Sequence, residues 1–202
     1  MNQRVLPLII GSFLLPLGCS GGPSPPSPPG PNGDDNPADQ NTPMVVQPSE
    51  LCSDHPDAAI AMFEDADLEA AIRTELSVGV QEDLTCGQIS GLTDLSASSS
   101  RIESLVGIQN LTSLRFLYLN GSSITDISAL SGLTRLGRDI SEPWVYPGLD
   151  LDNNPSLTDI QPLLNNPGLG WGDFVFLRST SVSCRDVAAL EAKRVRVMSD
   201  CP

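Results

Sequence analysis

Leu111-x-x-Leu114-x-x-Leu117-x-Leu119-x-x-Ser122-x-Ile124-x-x-Ile127-x-x-Leu130-x-x-Leu133-x-x-Leu136 is the stretch on which the fold turns. Apolar residues three apart, interrupted by one Leu-x-Leu, fit neither a single amphipathic helix nor an alternating strand. They fit a chain that turns corners, each short apolar step pointing into one shared core. The pattern also recurs: Ile102, Leu105, Ile108, Leu111 and Leu114 reappear 22 residues later as Ile124, Ile127, Leu130, Leu133 and Leu136. A leucine-rich helical domain has no reason to keep five positions in register at one period.

A third copy begins Leu149-x-Leu151-x-x-Asn154 and continues Leu157-x-x-Ile160-x-x-Leu163. Leu157 follows its counterpart Ile124 by 33 residues, so about ten residues, 137–147, read as an insertion. A fourth, degenerate copy reads Val175-x-Leu177-x-x-Thr180-x-Val182. The pattern resembles leucine-rich repeats. That resemblance implies an α/β fold: a short solenoid over 92–183, with a parallel sheet on its concave face.

Composition narrows the function. The chain has 202 residues, a net charge of -14 and a pI near 4.2. Nucleic-acid partners are excluded, because neutralising phosphates takes clustered Lys and Arg. With one lysine and ten arginines, no basic face is expected.

The first 18 residues read as a signal peptide. Arg4 supplies a positive start, and Val5 to Leu17 is apolar but too short for a permanent membrane span. The end, Leu15-Pro16-Leu17-Gly18-Cys19-Ser20, resembles the lipobox of bacterial lipoproteins, with Pro16 where that family has leucine. The resemblance implies cleavage before Cys19, its acylation, and a membrane anchor through that lipid. Ser20, in place of Asp, points to the outer membrane by the same resemblance. Residues 19–50 are rich in Pro, Gly and Ser, with nine of the 18 prolines between Pro23 and Pro48. Such a segment buries too little to offset its ordering entropy, so a disordered tether is expected, reaching roughly 90 Å at about 3 Å per residue.

Four further cysteines remain for an exported domain. Cys52 and Cys86 flank the first ordered stretch, and Cys184 and Cys201 the last, so the pairs Cys52–Cys86 and Cys184–Cys201 are expected from three possible pairings. Between the first two, Phe63 to Leu76 reads as a helix with Leu68, Ala71, Ile72 and Leu76 on one face, Asp65 and Asp67 at its start and Gly79 past its end. Thr85-Cys-Gly-Gln88 has capping-box spacing. A helical cap over 51–91 would close the open end of the repeat core.

This helix, the Leu84-Thr85 and Ile89/Leu92 lead-in and the 22-residue repeats together resemble the internalin-type leucine-rich-repeat family, over roughly residues 60 to 184. In that family an asparagine after Leu-x-Leu ladders hydrogen bonds between coils. Here it is present only as Asn154, with Ser122 and Thr180 in its place in the neighbouring coils. At the far end Ser183-Cys-Arg-Asp186 caps a helix through Val187 and Leu190, Lys193 and Arg194 suit its C-terminus, and Val195-x-Val197 alternates like a strand. Residues 184–202 thus read as a disulfide-closed C-terminal cap. Capping at both ends makes a complete domain of three to four coils the expectation.

By the same resemblance, the outward residues of the concave strands are the partner surface. They are Phe116, Tyr118 and Asn120, then Asp150 and Asp152, then Phe176 and Arg178, with Asp94 as a looser candidate in the first coil. Aromatics beside charges make a binding patch for a protein or glycan. The insertion adds Trp144 and Tyr146, which either meet the partner or fold back over the coil edge. Asp150-x-Asp152-x-Asn154 starts like a calcium loop, but Pro155 stands where the glycine belongs and the closing Glu is missing, so no metal is expected. No cofactor motif occurs, and the single histidine, His55, lies before the repeats without a Gly-x-Ser-x-Gly or phosphate loop, so no enzyme is expected. Two readings stay open: a lipid-anchored binding module, and a structural envelope lipoprotein.

Overall fold

The computed structural model describes residues 42–137 and 148–202. The signal peptide, Cys19, most of the expected tether, and Trp144 and Tyr146 lie outside these residues.

Five strands form one parallel sheet in chain order: β3 (Asp94–Ser96), β4 (Phe116–Tyr118), β5 (Leu149–Asp150), β6 (Phe174–Phe176) and β7 (Arg196–Met198). The register runs Leu95, Leu117, Leu149, Val175, Val197, one inward residue per coil. The first four of these are fully buried. Strands of two or three residues suffice because each coil must turn again to bring its next leucine inward. The five positions of the 22-residue period are buried in both copies, as are Leu157, Ile160 and Leu163 of the third. The backs of the coils are short helical turns, at Ile108–Asn110, Ser128–Leu130 and α3 (Gln161–Asn165). Those turns pack on one another and on α4 (Cys184–Ala192).

The N-terminal end is covered by α1 (Ala66–Leu76) and α2 (Cys86–Ser90). Asp65 caps α1, so Phe63 is not helical but is buried in the core ahead of it. The helix ends at Leu76 as expected, with Ser77 as its C-cap in the left-handed conformation (φ 55°). Gly79 serves differently: its carbonyl accepts from the Arg73 guanidinium, which is also paired with Glu69 at 2.8 Å. The Thr85–Gln88 capping box forms as expected, with the Thr85 amide donating to Gln88 Oε1 at 2.8 Å.

The ordered chain starts before residue 51. Val45–Val46 form β1 and pair in parallel with β2 (Ile60–Ala61), and Val46 is fully buried. Two valines among prolines carry no periodicity, yet Val46 has apolar area to bury, and that outweighs the composition around it. Asn110 ties this segment to the first coil, accepting from the Cys52 amide at 2.8 Å and donating to the Glu50 carbonyl at 3.0 Å.

Both expected disulfides are present, Cys52–Cys86 and Cys184–Cys201. Ser183 caps α4 through the Asp186 amide, as its spacing predicts. Lys193 departs from expectation. It ends α4, but its ammonium serves the neighbouring helix, donating to the carbonyls of Leu163, Leu164 and Asn166 at 2.7–3.1 Å at the C-terminal end of α3.

The insertion leaves and rejoins the solenoid at one point. A Cβ on Gly148 would collide with the Cα of Gly137, and Gly137 itself has φ +81°, open to glycine. The Gly137 amide donates to the Arg115 carbonyl and the Gly148 carbonyl accepts from the Leu117 amide, so the two ends are tied to β4 and to the residue just before it.

Candidate functional site

Alternation places one row of side chains on the concave face for each register position. The middle row is Ser96, Tyr118, Asp150, Phe176, Met198. The row at the strand starts has Asp94 beside Phe116, and Phe174 beside Arg196. Between these pairs β5 offers Gly148, one residue before Leu149, so no side chain stands there.

The aromatic half of the expected patch is present. Phe116, Tyr118 and Phe176 lie half-exposed on the face, and Asn120 lies beside them. Phe174 joins them, with its ring 6.2 Å from that of Phe176 in an edge-to-face arrangement. It was legible in Phe174-Val175-Phe176, where alternation turns both phenylalanines outward. Met198 is 44% exposed in the same row. Three phenyl rings carry a guanidinium: Arg115 over Phe116 at 5.9 Å, Arg178 over Phe176 at 5.1 Å, Arg196 over Phe174 at 5.3 Å. Each such pair contributes about 0.5–1 kcal/mol at an exposed site. Each guanidinium lies over a ring one or two residues away in the chain or in register on the next strand.

The acidic half differs from expectation. Asp150 and Asp152 are buried, not solvated. Asp150 accepts from Asn120 Nδ2 at 3.1 Å and from the Asp152 amide at 3.0 Å. Asp152 accepts from the Arg178 amide at 2.7 Å and pairs with its guanidinium, also at 2.7 Å. Asn120, Asp150, Asp152 and Arg178 thus form a hydrogen-bonded strip that laces three coils together. Burial lifts the Asp150 carboxyl above its ordinary range. The Asp152 amide opposes that, the Asp152 charge adds to it, and Asn120 and Arg178 oppose it further. These acids bond their neighbours because a coil spacing of about 4.8 Å brings partners within reach on either side.

The residues of the calcium-like spacing are bonded within the protein. Asp152 is spent on Arg178, and Asn154 is fully buried, with its side chain on the backbone groups of Leu119, Leu151, Asp152 and Ile124. Among the described residues, no group of three or more His, Cys, Asp or Glu side chains is placed to hold a metal. His55 lies at the N-terminal end, its Nδ1 3.4 Å from Met44 Sδ.

No protein-family model matches the chain. No curated protein matches it in sequence. Among solved structures, an internalin (inlF) from Listeria monocytogenes is 34% identical over 60% of this chain and 32% of that one, with a TM-score of 0.50. An internalin C2 (inlC2) from the same species is 21% identical over 68% of this chain and 67% of its own, with a TM-score of 0.43. The chain thus spans about a third of the length of the first of these. Its fold is an internalin-like leucine-rich-repeat fold, a parallel five-stranded sheet backed by helices.

Proposed function

We propose that this chain is a lipid-anchored binding module of the bacterial cell envelope, which recognises a protein or glycan partner through its concave repeat face. One observation carries the reading. Phe116, Tyr118, Phe174, Phe176 and Met198 stand together on that face, while the core beneath them is already filled by the inward residues Leu95, Leu117, Leu149 and Val175. The face aromatics are therefore not needed to complete the solenoid. Left half in water, their area is available to a partner, at about 25 cal/mol for each Å² covered. Aromatics, Met and Arg are the residues enriched in interface cores. The anchor is supported by the lipobox-like sequence ending at Cys19 and the Pro-rich segment after it. No catalytic role is proposed, and the partner-contact role of Trp144 and Tyr146 belongs to the same proposal.

The test is a crosslinking pull-down from the native envelope. It compares the full chain with a Phe116→Ala, Tyr118→Ala, Phe176→Ala variant of unchanged melting temperature. Capture of one defined partner by the native chain alone supports the face. Equal capture by both chains refutes it, and no capture by either favours a structural envelope role. Separately, Cys19→Ala is expected to move the protein from the membrane to the soluble fraction.

A further inference from the structure

We infer that the partner seated on the concave face is a protein segment bearing an acidic side chain among apolar ones, its carboxylate meeting the Arg196 guanidinium at the β6–β7 end. This rests on the reading of the concave face as the binding surface, and adds the chemistry of what binds there.

The first observation is the distribution of charge along the solenoid. Residues 42–103 carry twelve acids against Arg73 and Arg101, a net of -10. Residues 173–202 carry Arg178, Arg185, Lys193, Arg194 and Arg196 against Asp173, Asp186, Glu191 and Asp200, a net of +1 in a chain of -14. The domain is thus polarised along its axis. An acidic partner is repelled from the N-terminal cap and drawn to the last coils.

The second is the state of the charges on the face. Its acids at the β5–β7 end are committed internally, Asp150 to Asn120 and the Asp152 amide, Asp152 to Arg178, and Asp200 to the Ser179 amide at 2.6 Å, while exposed Asp94 stands at the opposite end on β3. Among the described residues Arg196 has no ion pair; it is exposed and lies over Phe174. A guanidinium held against a ring face keeps its N–H groups at its rim, where a carboxylate is bound in two-pronged fashion. Phe174, Phe176 and Met198 beside it supply apolar area for the flanking side chains.

The third separates a protein from a neutral glycan. Sugar platforms need open ring faces for stacking and free amide or carboxylate groups for hydroxyls. Here Phe116, Phe174 and Phe176 each have a guanidinium over the ring, and the carboxylates and the Asn120 amide are already hydrogen-bonded. Apolar area with committed acids and a presented arginine matches the anatomy of a protein interface.

The test is selection from a phage-displayed random dodecapeptide library on the detergent-solubilised full chain, with a parallel binding assay for alginate as an acidic glycan. The expected result is enrichment of Asp or Glu beside Phe, Leu or Trp. Arg196→Glu is expected to weaken those peptides roughly tenfold or more and to shift its own selection towards Lys and Arg. A Phe116→Ala, Phe174→Ala variant of unchanged melting temperature is expected to lose them. Neutral or basic peptides lost on the phenylalanine substitutions would overturn the acidic chemistry while leaving the face as the binding surface. Peptides indifferent to those substitutions would overturn the face itself. Alginate binding without peptide enrichment, or no enrichment at all, would overturn the protein partner.

Discussion

Asp65 holds Glu103 across 38 positions of the chain: its Oδ2 accepts the Glu103 amide at 2.8 Å and the Ser104 amide at 3.2 Å. Its Oδ1 meanwhile accepts the Asp67 and Leu68 amides at the start of α1. One carboxylate therefore caps the first helix and docks it on the first coil.

The pH dependence follows from that geometry. Burial raises the Asp65 pKa, but the four amides outweigh it and hold the carboxyl below its ordinary value of 3.8. With the folded pKa depressed, the stabilisation is fully present above the unfolded value and is lost as pH falls through the folded one. Asp65→Asn keeps an acceptor oxygen and removes the charge. It should cost about 1–2 kcal/mol at neutral pH, as caps and charged acceptors do. Denaturant melts of both proteins should converge as pH is lowered below the carboxylate range. A penalty that stays constant with pH would show that the charge is not its source.

Equivalent coil positions should respond with opposite sign. Asn154 is fully buried; it accepts the Ile124 amide at 3.1 Å and donates to the Leu119 and Leu151 carbonyls. Asn154→Ala strands those groups and should cost about 3 kcal/mol or more, at about 1–3 kcal/mol for each unsatisfied group. Ser122 holds the same place one coil earlier, but its Oγ is buried with no hydrogen-bond partner among the described residues. Ser122→Ala removes a desolvated hydroxyl and should be neutral or stabilising. Urea melts of the two variants decide it, and a loss of stability in Ser122→Ala comparable to that of Asn154→Ala would refute the assignment.

These residues also mark how far the sequence could be read. The buried period and the capping box were legible because each is a local or strictly periodic signal, and the disulfides because four cysteines in two flanking pairs leave only three pairings. The lacing of the coils was not. Whether Asp150 faces water depends on Asn120, 30 residues earlier, and the state of Asp152 depends on Arg178, 26 residues later. A single strand reports only which way its side chains point, and neighbouring coils decide what they meet. Val46 was missed for a related reason, since its partner β2 lies beyond a turn and the short helical turn Cys52–Asp54.

Lys193 should prove hard to replace. Its ammonium donates to three carbonyls, those of Leu163, Leu164 and Asn166, and joins the last helix to the coil before it. Lys193→Met keeps the stem and leaves carbonyls at the end of α3 without a donor, at a cost of about 1–3 kcal/mol. Lys193→Arg should not restore this, because a planar fork cannot direct its donors at three converging oxygens as a tetrahedral ammonium does. Hydrogen exchange around α3 and α4 should quicken in both variants, and full protection in Lys193→Arg would contradict the geometry.

The last prediction concerns the insertion. Leu95 and Leu117 are paired in register 22 residues apart, as are Val175 and Val197, whereas Leu117 and Leu149 are 32 apart. Removing residues 138–147 makes the middle interval 22 as well. Gly137 and Gly148 already lie in contact, so a direct peptide bond between them asks little of the backbone. The Gly137–Arg115 and Gly148–Leu117 hydrogen bonds lie outside the deletion and should persist. The shortened chain should fold cooperatively, since loop length itself contributes only about 0.6 kcal/mol per doubling. Melting and partner capture, measured together, then divide the two roles open to Trp144 and Tyr146. Unchanged melting with weakened capture is the expected outcome and assigns those aromatics to the partner. A fall of several kcal/mol would assign them to covering the coil edge.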